Sequence, residues 1–284
     1  MVKRKRLSPR QRLFSVLIHL QLLLVVFIVL VPVLWIVSSS LSTTSALSDL
    51  TLIPKKITLN NYIELFTKTN FKLWYMNTLI VALLTMVFTA LVNIFTAFIF
   101  ARYSFKGRKP LLMFVMLFQM FPSFLGLTAL YVICLNFNLL NNIYTLVIIY
   151  VAGSIPGNIF LARGYLLNLP RTLDEAAYID GATKWQVFIH VILPLATPII
   201  AFIAMNAFIG PWLDYILPRM LLSANEKNTV ALGLYRFVDN LSADYNVPRF
   251  AAASLIIAVP IALFQMIFQR FLVTGVTAGA NKGE

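Results

Sequence analysis

Charge is what this sequence has least of. Only 12% of its 284 residues are Asp, Glu, Lys or Arg, whereas 60% are hydrophobic, and the mean hydropathy is +0.85. A soluble domain carries about twice that share of charged residues, so this chain could not cover a water-facing surface of ordinary extent. The shortage excludes an ordinary soluble protein and indicates a helical membrane protein.

Side chains that carry catalysis or bind metals are also scarce. Cys134 is the single cysteine, which excludes a disulfide within the chain and a cysteine-based metal site. His19 and His190 stand apart from each other and from any cluster of acids, so neither a metal site nor an acid–base pair is indicated. A phosphate-binding loop ending in Gly-Lys-Ser or Gly-Lys-Thr is missing as well. We therefore expect a non-enzymatic chain with no catalytic residue, metal or cofactor of its own.

The charges that are present cluster and leave long uncharged gaps between them. A transmembrane helix needs about 20 apolar residues, and a charge at the bilayer centre costs about 2.5–3.5 kcal/mol. The gaps therefore predict six transmembrane helices, at residues 13–37, 76–101, 111–134, 143–166, 198–217 and 250–272. The expected fold class is an all-α polytopic membrane protein.

The positions of Lys and Arg predict how these helices are oriented. Most of the 23 basic residues fall on the cytoplasmic side if the N-terminus is inside, and both termini are then cytoplasmic. The net charge of +13 is thus a topology signal, and no nucleic-acid partner is expected. The predicted order is a basic cytoplasmic tail (1–12), a first transmembrane helix (13–37), an extracellular connection (38–75), a five-helix core (76–272) with a cytoplasmic segment (168–194) and an outer loop (218–249), and a cytoplasmic C-terminal tail (273–284).

Proline and glycine interrupt several of the predicted helices. Such breaks survive in membranes where neighbouring helices or a water-filled cavity satisfy the freed backbone groups, and broken helices are common along substrate pathways. Simple packing and kinking is an equally good explanation at any one position. The residues that we expect to line a translocation pathway, with a constriction at residues 153–157, are Gly153, Pro156, Gly157, Asn158 and Asn206.

Residues 168–194 form a polar insert between two apolar runs. The capping-box spacing, a Thr followed three residues later by Glu or Gln, occurs twice, at Thr172–Glu175 and Thr183–Gln186. Gly181 suits a helix C-terminus that needs a left-handed backbone. The pattern predicts two short capped helices, the second of which ends at Leu193-Pro194.

The composition of this insert favours docking of a protein. Ala176, Ala177 and Gly181 are small enough to let another surface approach closely, and Glu175 adds a negative charge beside them. An interfacial helix lying on the membrane would explain the exposed-looking Trp185 but not the Glu-Ala-Ala sequence followed by Gly. We therefore interpret the insert as a docking element for a soluble partner.

At these residues the sequence resembles the EAA signature of bacterial ABC importer permeases. The pattern is Glu175-Ala176-Ala177, three residues, Gly181, nine residues, Val191, one residue and Leu193-Pro194, with Val191 in place of the usual isoleucine. The segment 272–279 is similar to the C-terminal tail of maltose-type permeases, and the resemblance covers roughly residues 70–284. It implies a type I, MetI-like importer permease of the carbohydrate (maltose and maltodextrin, MalG-like) group, located in the cell membrane of a bacterium.

The resemblance also implies partners and roles. A second, MalF-like permease would complete the pore, a homodimeric MalK-like ATPase would bind the ATP and Mg, and an extracellular solute-binding protein would deliver the sugar. The residues that would couple to the ATPase are Glu175, Ala176, Ala177, Asp180, Gly181 and Trp185, and those of a tail at the ATPase interface are Thr277, Ala278 and Gly279. In this family the other permease mainly holds the sugar, so a dedicated sugar site is not expected in this chain.

Other functions stay open at this stage. A secondary transporter or channel would work without ATP, but such proteins usually place ionisable groups at mid-membrane. The polar residues within the predicted spans are uncharged instead: Asn93, Gln119, Asn158, Asn206 and Gln265. An ABC permease for a solute other than sugar is a further alternative, and the particular sugar is not indicated.

Overall fold

The chain is helical throughout most of its described length. The computed structural model describes residues 9–43, 53–54 and 56–280. Within these residues the β-type pairing is a single antiparallel bridge between Ser42 and Ile57. The predicted all-α fold class is therefore confirmed for the described part of the chain.

Four helices are long and apolar enough to cross a membrane: α1 (Pro9–Ser40), α3 (Phe71–Arg102), α6 (Ile143–Leu167) and α13 (Val247–Ala280). Two bent pairs would each add one crossing, which makes between four and six spans in the described chain. The first pair is α4 (Arg108–Met120) with the stretch Phe124–Asn136, and the second is the stretch Lys184–Leu195 with α10 (Thr197–Leu213). The two halves meet at 86° in the first pair and at 75° in the second.

The remaining helices are short. They are α2 (Asn60–Thr67), α5 (Leu127–Asn136), α7 (Thr172–Ile179), α8 (Lys184–Gln186), α9 (Leu193–Leu195), α11 (Ile216–Leu221) and α12 (Val230–Tyr235). A π-helical segment covers Val187–Ile192, and 3₁₀ turns cover Ser123–Gly126 and Asn225–Lys227.

Two of the predicted transmembrane helices differ from the structure. The helix expected over 111–134 is bent sharply after Met120, where Phe121 and Pro122 have extended backbones, as expected for a residue that precedes proline. The helix expected over 198–217 ends at Leu213, because the backbone of Asp214 is extended (ψ 121°). The side chain of Asp214 instead accepts the backbone N–H of Ile216, at 2.9 Å, at the start of α11.

The predicted break at residues 153–157 is also absent. Helix α6 runs without interruption from Ile143 to Leu167 and contains Pro156 in its interior. Gly157 packs near α4, since a Cβ atom there would lie 3.6 Å from the side-chain nitrogen of Gln119. A Cβ atom at Gly153, by contrast, would meet nothing within 4 Å. The constriction expected at residues 153–157 stays a prediction.

The described residues form two compact units. One contains residues up to Thr69 together with Arg236–Ile256, and the other contains Asn70–Tyr235 together with residues from Ile257 on. The predicted outer loop over 218–249 is divided between them, and its first part contains α12.

In the first unit, α2 is tied to the residues that follow α1. The side-chain nitrogen of Asn61 donates to the carbonyl oxygens of Ser40 and Ser42 at 2.8 and 2.9 Å. Glu64 forms ion pairs with Lys68, one turn later, and with Arg249 near the start of α13. These contacts join three stretches of the chain that are distant in sequence.

The core of the second unit lies among α3, α6, α10 and the π-helical segment. Its buried apolar residues are Ile94, Ala97, Phe98, Ala101, Ala162, Leu166, Val187, Phe188, Ile192, Ala196, Ile199 and Ile203. Alanines occupy several of the positions where α3 meets α6, and small residues let membrane helices approach closely. This core supports the polar insert of the sequence.

The residues after α11 are anchored to the first turns of α3. Trp74 donates from its indole nitrogen to the carbonyl oxygen of Asn225 at 2.8 Å, and the hydroxyl of Thr78 accepts the backbone N–H of Val230 at 2.8 Å. Gly233 lies against Trp74 so closely that a Cβ atom would be 2.2 Å from the ring. This part of the predicted outer loop is therefore an ordered, packed element.

Candidate functional site

The first helix of the polar insert, α7, is not capped as the sequence predicted. Arg171 is the N-cap residue, Thr172 already lies inside the helix, and no side-chain hydrogen bond caps this end. The expected capping box of Thr172 with Glu175 is therefore absent, and the N-cap lies one residue earlier than predicted. Asp174 and Glu175 lie in the first turn instead, where their negative charge interacts favourably with the helix dipole.

The C-terminal end of α7 matches the prediction. Gly181 has a φ of +83°, and its N–H donates to the carbonyl of Tyr178 at 3.1 Å while the N–H of Ala182 donates to that of Ala177 at 2.9 Å. These two bonds form a Schellman motif, which requires a left-handed residue at the position of Gly181. The glycine thus ends the helix and reverses the chain towards α8.

The second predicted capping box is present. The backbone N–H of Gln186 donates to the Thr183 hydroxyl at 3.3 Å, and the side chain of Gln186 accepts the backbone N–H of Thr183 at 2.7 Å. Both ends of the connection between α7 and α8 are therefore satisfied by local hydrogen bonds.

The helix that was predicted to stop at Leu193-Pro194 ends one residue later, at Leu195. After α8 the chain continues as the π-helical segment Val187–Ile192 and then as α9, which contains Pro194 and ends at Leu195. Proline lacks an N–H and cannot complete the α-helical bond to the carbonyl of His190, and the wider π geometry precedes it. π-Helical turns are rare and frequently lie at functional sites.

An aromatic cluster fixes this segment on α3. The ring of Phe188 lies 4.8 Å from that of Phe98 and 5.7 Å from that of Phe95, and the ring of Trp185 lies 5.4 Å from that of Phe188. Phe188 is buried, whereas 58% of Trp185 stays exposed. Phe188 therefore serves packing, whereas Trp185 leaves an open aromatic surface.

A buried ion pair attaches α7 to the end of α3. The Arg102 guanidinium nitrogen Nε lies 2.8 Å from Asp174 Oδ2, and the two side chains are only 5% and 11% exposed. Nη1 and Nη2 of Arg102 both donate to the carbonyl oxygen of Leu169 at 3.2 Å. Burial raises the pKa of Asp174 above its ordinary value, although the positive charges of Arg102 and Arg171 oppose this shift.

Sequence reasoning missed this ion pair. Arg102 and Asp174 are far apart in the chain, and no motif spacing links a basic residue at the end of one helix to an acid in another. The available signal was weak. Asp174 and Ala176 are two residues apart and therefore lie on opposite sides of a short helix, so Asp174 faces away from the exposed surface that contains Ala176.

The outward face of α7 combines charge with apolar surface. Glu175, Ala176, Asp180 and Gly181 are exposed, and Ile179 is 86% exposed. Ala177, by contrast, is half-buried against the core. Five of the six predicted coupling residues, including Trp185, are therefore accessible, and Ile179 is an exposed residue that the sequence analysis did not single out.

The predicted pathway residues do not all come together. Asn158 and Asn206 line one cavity of about 220 Å³ in the second unit, whereas Gly153 and Pro156 are not among its lining residues. Ser154, which lies within the constriction expected at residues 153–157, also lines it, as do Thr85 and Thr89, which sequence reasoning missed. The four-residue spacing of the two threonines, which places them on one face of α3, was the available signal.

Two parts of the sequence prediction lie outside what can be described. The side chains of Thr277, Ala278 and Gly279, at the end of α13, are outside the described part of the structure, as are residues 1–8 of the basic tail. Among the described residues, no group of three or more His, Cys, Asp or Glu side chains could hold a metal ion.

Comparison with known proteins identifies the class of this chain. Residues 93–277 match the family described as binding-protein-dependent transport system inner membrane component. The galactooligosaccharides transport system permease protein GanQ of Bacillus subtilis (strain 168) is 38% identical over 93% of this chain and 94% of the relative. The maltodextrin transport system permease protein MalD of Streptococcus pneumoniae (strain ATCC BAA-255 / R6) is 40% identical over 79% of this chain and 80% of the relative.

A solved structure has a similar fold. A chain of a bacterial ABC transporter involved in the import of the acidic polysaccharide alginate superimposes with a TM-score of 0.80, over 94% of this chain and 99% of that chain, at 22% identity. The protein belongs to the family of binding-protein-dependent transport system inner membrane components. It has the ABC importer permease fold, and the resemblance drawn from the EAA pattern is confirmed.

Proposed function

We propose that this chain is the permease subunit of an ATP-driven carbohydrate importer and that α7 is its coupling helix. The observation that carries the proposal is the exposed face of α7, where Glu175, Ala176 and Ile179 are accessible while the opposite side is anchored in the core. A short helix with one fixed side and one open side suits the cleft of a soluble partner.

The anchoring contacts support a mechanical role. Arg102 belongs to the last turn of α3 and holds Asp174 of α7, and Phe188 packs the following segment on Phe95 and Phe98 near the C-terminal end of the same helix. Displacement of α7 by a partner would therefore be transmitted to a 32-residue helix. ATP binding in the partner could move the transmembrane helices by this route.

The proposed partners follow from the same role. A separate ATPase dimer binds the ATP and Mg, and its surface receives α7. A second permease completes the pore, and an extracellular solute-binding protein delivers the substrate. With six crossings and both termini in the cytoplasm, the segment 168–194 lies on the side of the ATPase, as the distribution of Lys and Arg predicts.

The proposed substrate is an oligosaccharide. Its support is that relatives over most of the chain are named for galactooligosaccharides and maltodextrin. The described transmembrane helices also carry uncharged polar residues such as Asn158 and Asn206, which can pair with hydroxyl groups. A maltodextrin is the first substrate to test.

Charge reversal at Glu175 tests the proposal. In Glu175→Lys we expect the amount of chain in the membrane to be unchanged, because the side chain is exposed. The ATPase subunit should no longer co-purify with the permeases, and uptake of labelled maltotriose should be lost. The measurement is co-purification together with uptake in a strain that carries only the variant chain.

A matched variant controls for the change of charge. Glu226 is also exposed but lies between α11 and α12, far in sequence from the coupling helix. Glu226→Lys should keep the ATPase subunit bound. Normal uptake and normal co-purification in Glu175→Lys would reject the coupling role, and uptake without any ATPase would favour a secondary transporter instead.

A further inference from the structure

A cavity of about 220 Å³ lies among three helices of the second unit. A water molecule in the liquid occupies about 30 Å³, so the cavity has room for roughly seven waters or for one small ligand. Its polar lining comes from α3, α6 and α10, namely Thr85, Thr89, Tyr150, Ser154, Asn158 and Asn206. Ligand pockets typically combine a concave shape with a few placed polar groups.

Two of the lining hydroxyls are buried and unpaired. Thr85 is 3% exposed and Thr89 is fully buried, and neither Oγ1 atom has a hydrogen-bond partner within the described chain. Buried polar groups in proteins are normally paired. Both Oγ1 atoms have almost no accessible surface, so a rotation of the threonine side chain is needed to turn either hydroxyl into the cavity, where it can pair with a ligand. One turn further along α3, Asn93 donates to the Ser154 hydroxyl at 3.2 Å, while its own side-chain oxygen is also buried and unpaired.

The lining holds no cation to pair with an anionic ligand. Each polar group in it is a hydroxyl, a phenol or an amide, and such groups both donate and accept hydrogen bonds. One lining residue contacts a charged group, and that charge is negative: the Tyr150 hydroxyl donates to the Asp214 carboxylate at 2.7 Å. An unpaired carboxylate would be costly at such a site, whereas neutral hydroxyl groups would be satisfied.

We propose that this cavity is a subsite for one ring of a neutral saccharide and that it disfavours rings that carry a carboxylate. The inference rests on the proposed importer function and deepens it. It also departs from the expectation that this chain has no sugar site of its own, since the chain would contact the substrate directly. Asp214 acts as a positioning residue that orients the ring of Tyr150.

A single introduced cysteine tests the subsite. The chain has one natural cysteine, which is buried, so Cys134→Ala gives a cysteine-free version of this chain, and labelling is read on this chain after the subunits are separated. Asn206→Cys is then placed in that background within the complete transporter in proteoliposomes. We expect a water-soluble thiol reagent to label it, and we expect maltotriose to slow the labelling at least fivefold. A uronic acid trimer at the same concentration should give no protection.

Two variants serve as matched comparisons. Leu213→Cys lies on the same helix, is 70% exposed and is not part of the lining, so maltotriose should not protect it. Thr89→Val removes a hydroxyl that has no partner, which should leave folding intact. It should raise the maltotriose concentration for half-protection about threefold to tenfold, whereas Thr96→Val, on the same helix outside the cavity, should not.

The outcomes separate this inference from the proposed function. Three results would overturn the subsite while leaving the importer function in place. The first is uptake of maltotriose without protection of Asn206→Cys. The others are equal protection by the uronic acid trimer and no labelling of Asn206→Cys. Failure of the wild-type transporter to take up any of several neutral oligosaccharides would overturn both.

Discussion

Two carboxylates of this chain pair with arginine, and their pKa values are shifted in opposite directions. Asp174 pairs with Arg102 through side chains that are 5% and 11% exposed, and burial raises its pKa. Glu64 pairs with Lys68 and Arg249 and is 30% exposed. Hydrogen bonds from Lys68 and Arg249 lower the pKa of Glu64.

The contrast shows that the balance between desolvation and partners sets the direction of each pKa shift: desolvation is the larger cause at Asp174, and hydrogen bonds are the larger cause at Glu64. Removing a charge from water carries a penalty that one cation repays only in part, whereas a carboxylate near water gains from each neighbouring cation. The pair at α7 is thus a costly contact in a place where the chain needs a defined geometry. The pair at Glu64 is an ordinary stabilising contact.

Loss of the arginine at the buried pair should have the largest effect. Arg102→Ala leaves the Asp174 carboxylate buried without its cation, and we expect the free energy of unfolding to fall by about 3–5 kcal/mol. Denaturant titration of the purified chain in detergent measures the change. Arg102→Leu combined with Asp174→Leu should recover most of the loss, because an apolar pair needs no solvation.

The double variant also distinguishes a stabilising role of the ion pair from a role in positioning α7. If the ion pair serves only stability, the apolar replacement should transport sugar normally. If it positions α7, uptake should stay low although the protein is folded. A loss below about 1 kcal/mol in Arg102→Ala would mean that the carboxylate simply becomes protonated, which its raised pKa makes easier.

The partly buried pair at Glu64 should matter less. Arg249 is 12% exposed, but the Glu64 carboxylate is 30% exposed and also contacts Lys68 at 2.7 Å. Because Arg249→Ala leaves Glu64 with water and Lys68 as partners, we expect a loss of about 1 kcal/mol or less, measured by the same titration. A loss as large as that of Arg102→Ala would remove the contrast between the two regions.

The two acids should also differ in their pH dependence. The folded-state pKa of Glu64 is lowered from 4.5, so its stabilisation is present above pH 4.5 and is lost as the pH falls through the folded pKa. The folded-state pKa of Asp174 is raised from 3.8, so its contribution is most favourable below pH 3.8 and decreases as the pH rises through the folded pKa. Subtracting the pH profiles of Glu64→Gln and Asp174→Asn from that of the wild type should give slopes of opposite sign.

Local features of the candidate site could be predicted from the sequence. Gly181 ends α7 with a left-handed backbone and Thr183 caps α8, both as expected, because each depends on residues within a few positions of it. The first capping box is absent because the N-cap lies one residue earlier than expected, at Arg171, and the helix end expected at Leu193-Pro194 lies one residue later, at Leu195. Helix ends shift by a residue or two at little cost.

Contacts between distant residues could not be predicted in this way. The pairing of Arg102 with Asp174 and the meeting of Thr89 with Asn206 around one cavity depend on how α3 lies against its neighbours. Neither follows from spacing along the chain. The smooth course of α6 through Pro156 likewise depends on the helices that surround it.

The membrane class, the positions of most long helices and the EAA segment were decided by residues near one another in the chain. A run of about 20 apolar side chains favours a helix in a bilayer, and a left-handed residue at a helix C-terminus favours glycine. The raised pKa of Asp174, the exposed face of α7 and the cavity among α3, α6 and α10 were decided by tertiary packing alone. Burial and distance set solvation and pairing, and these quantities exist only once the helices have come together.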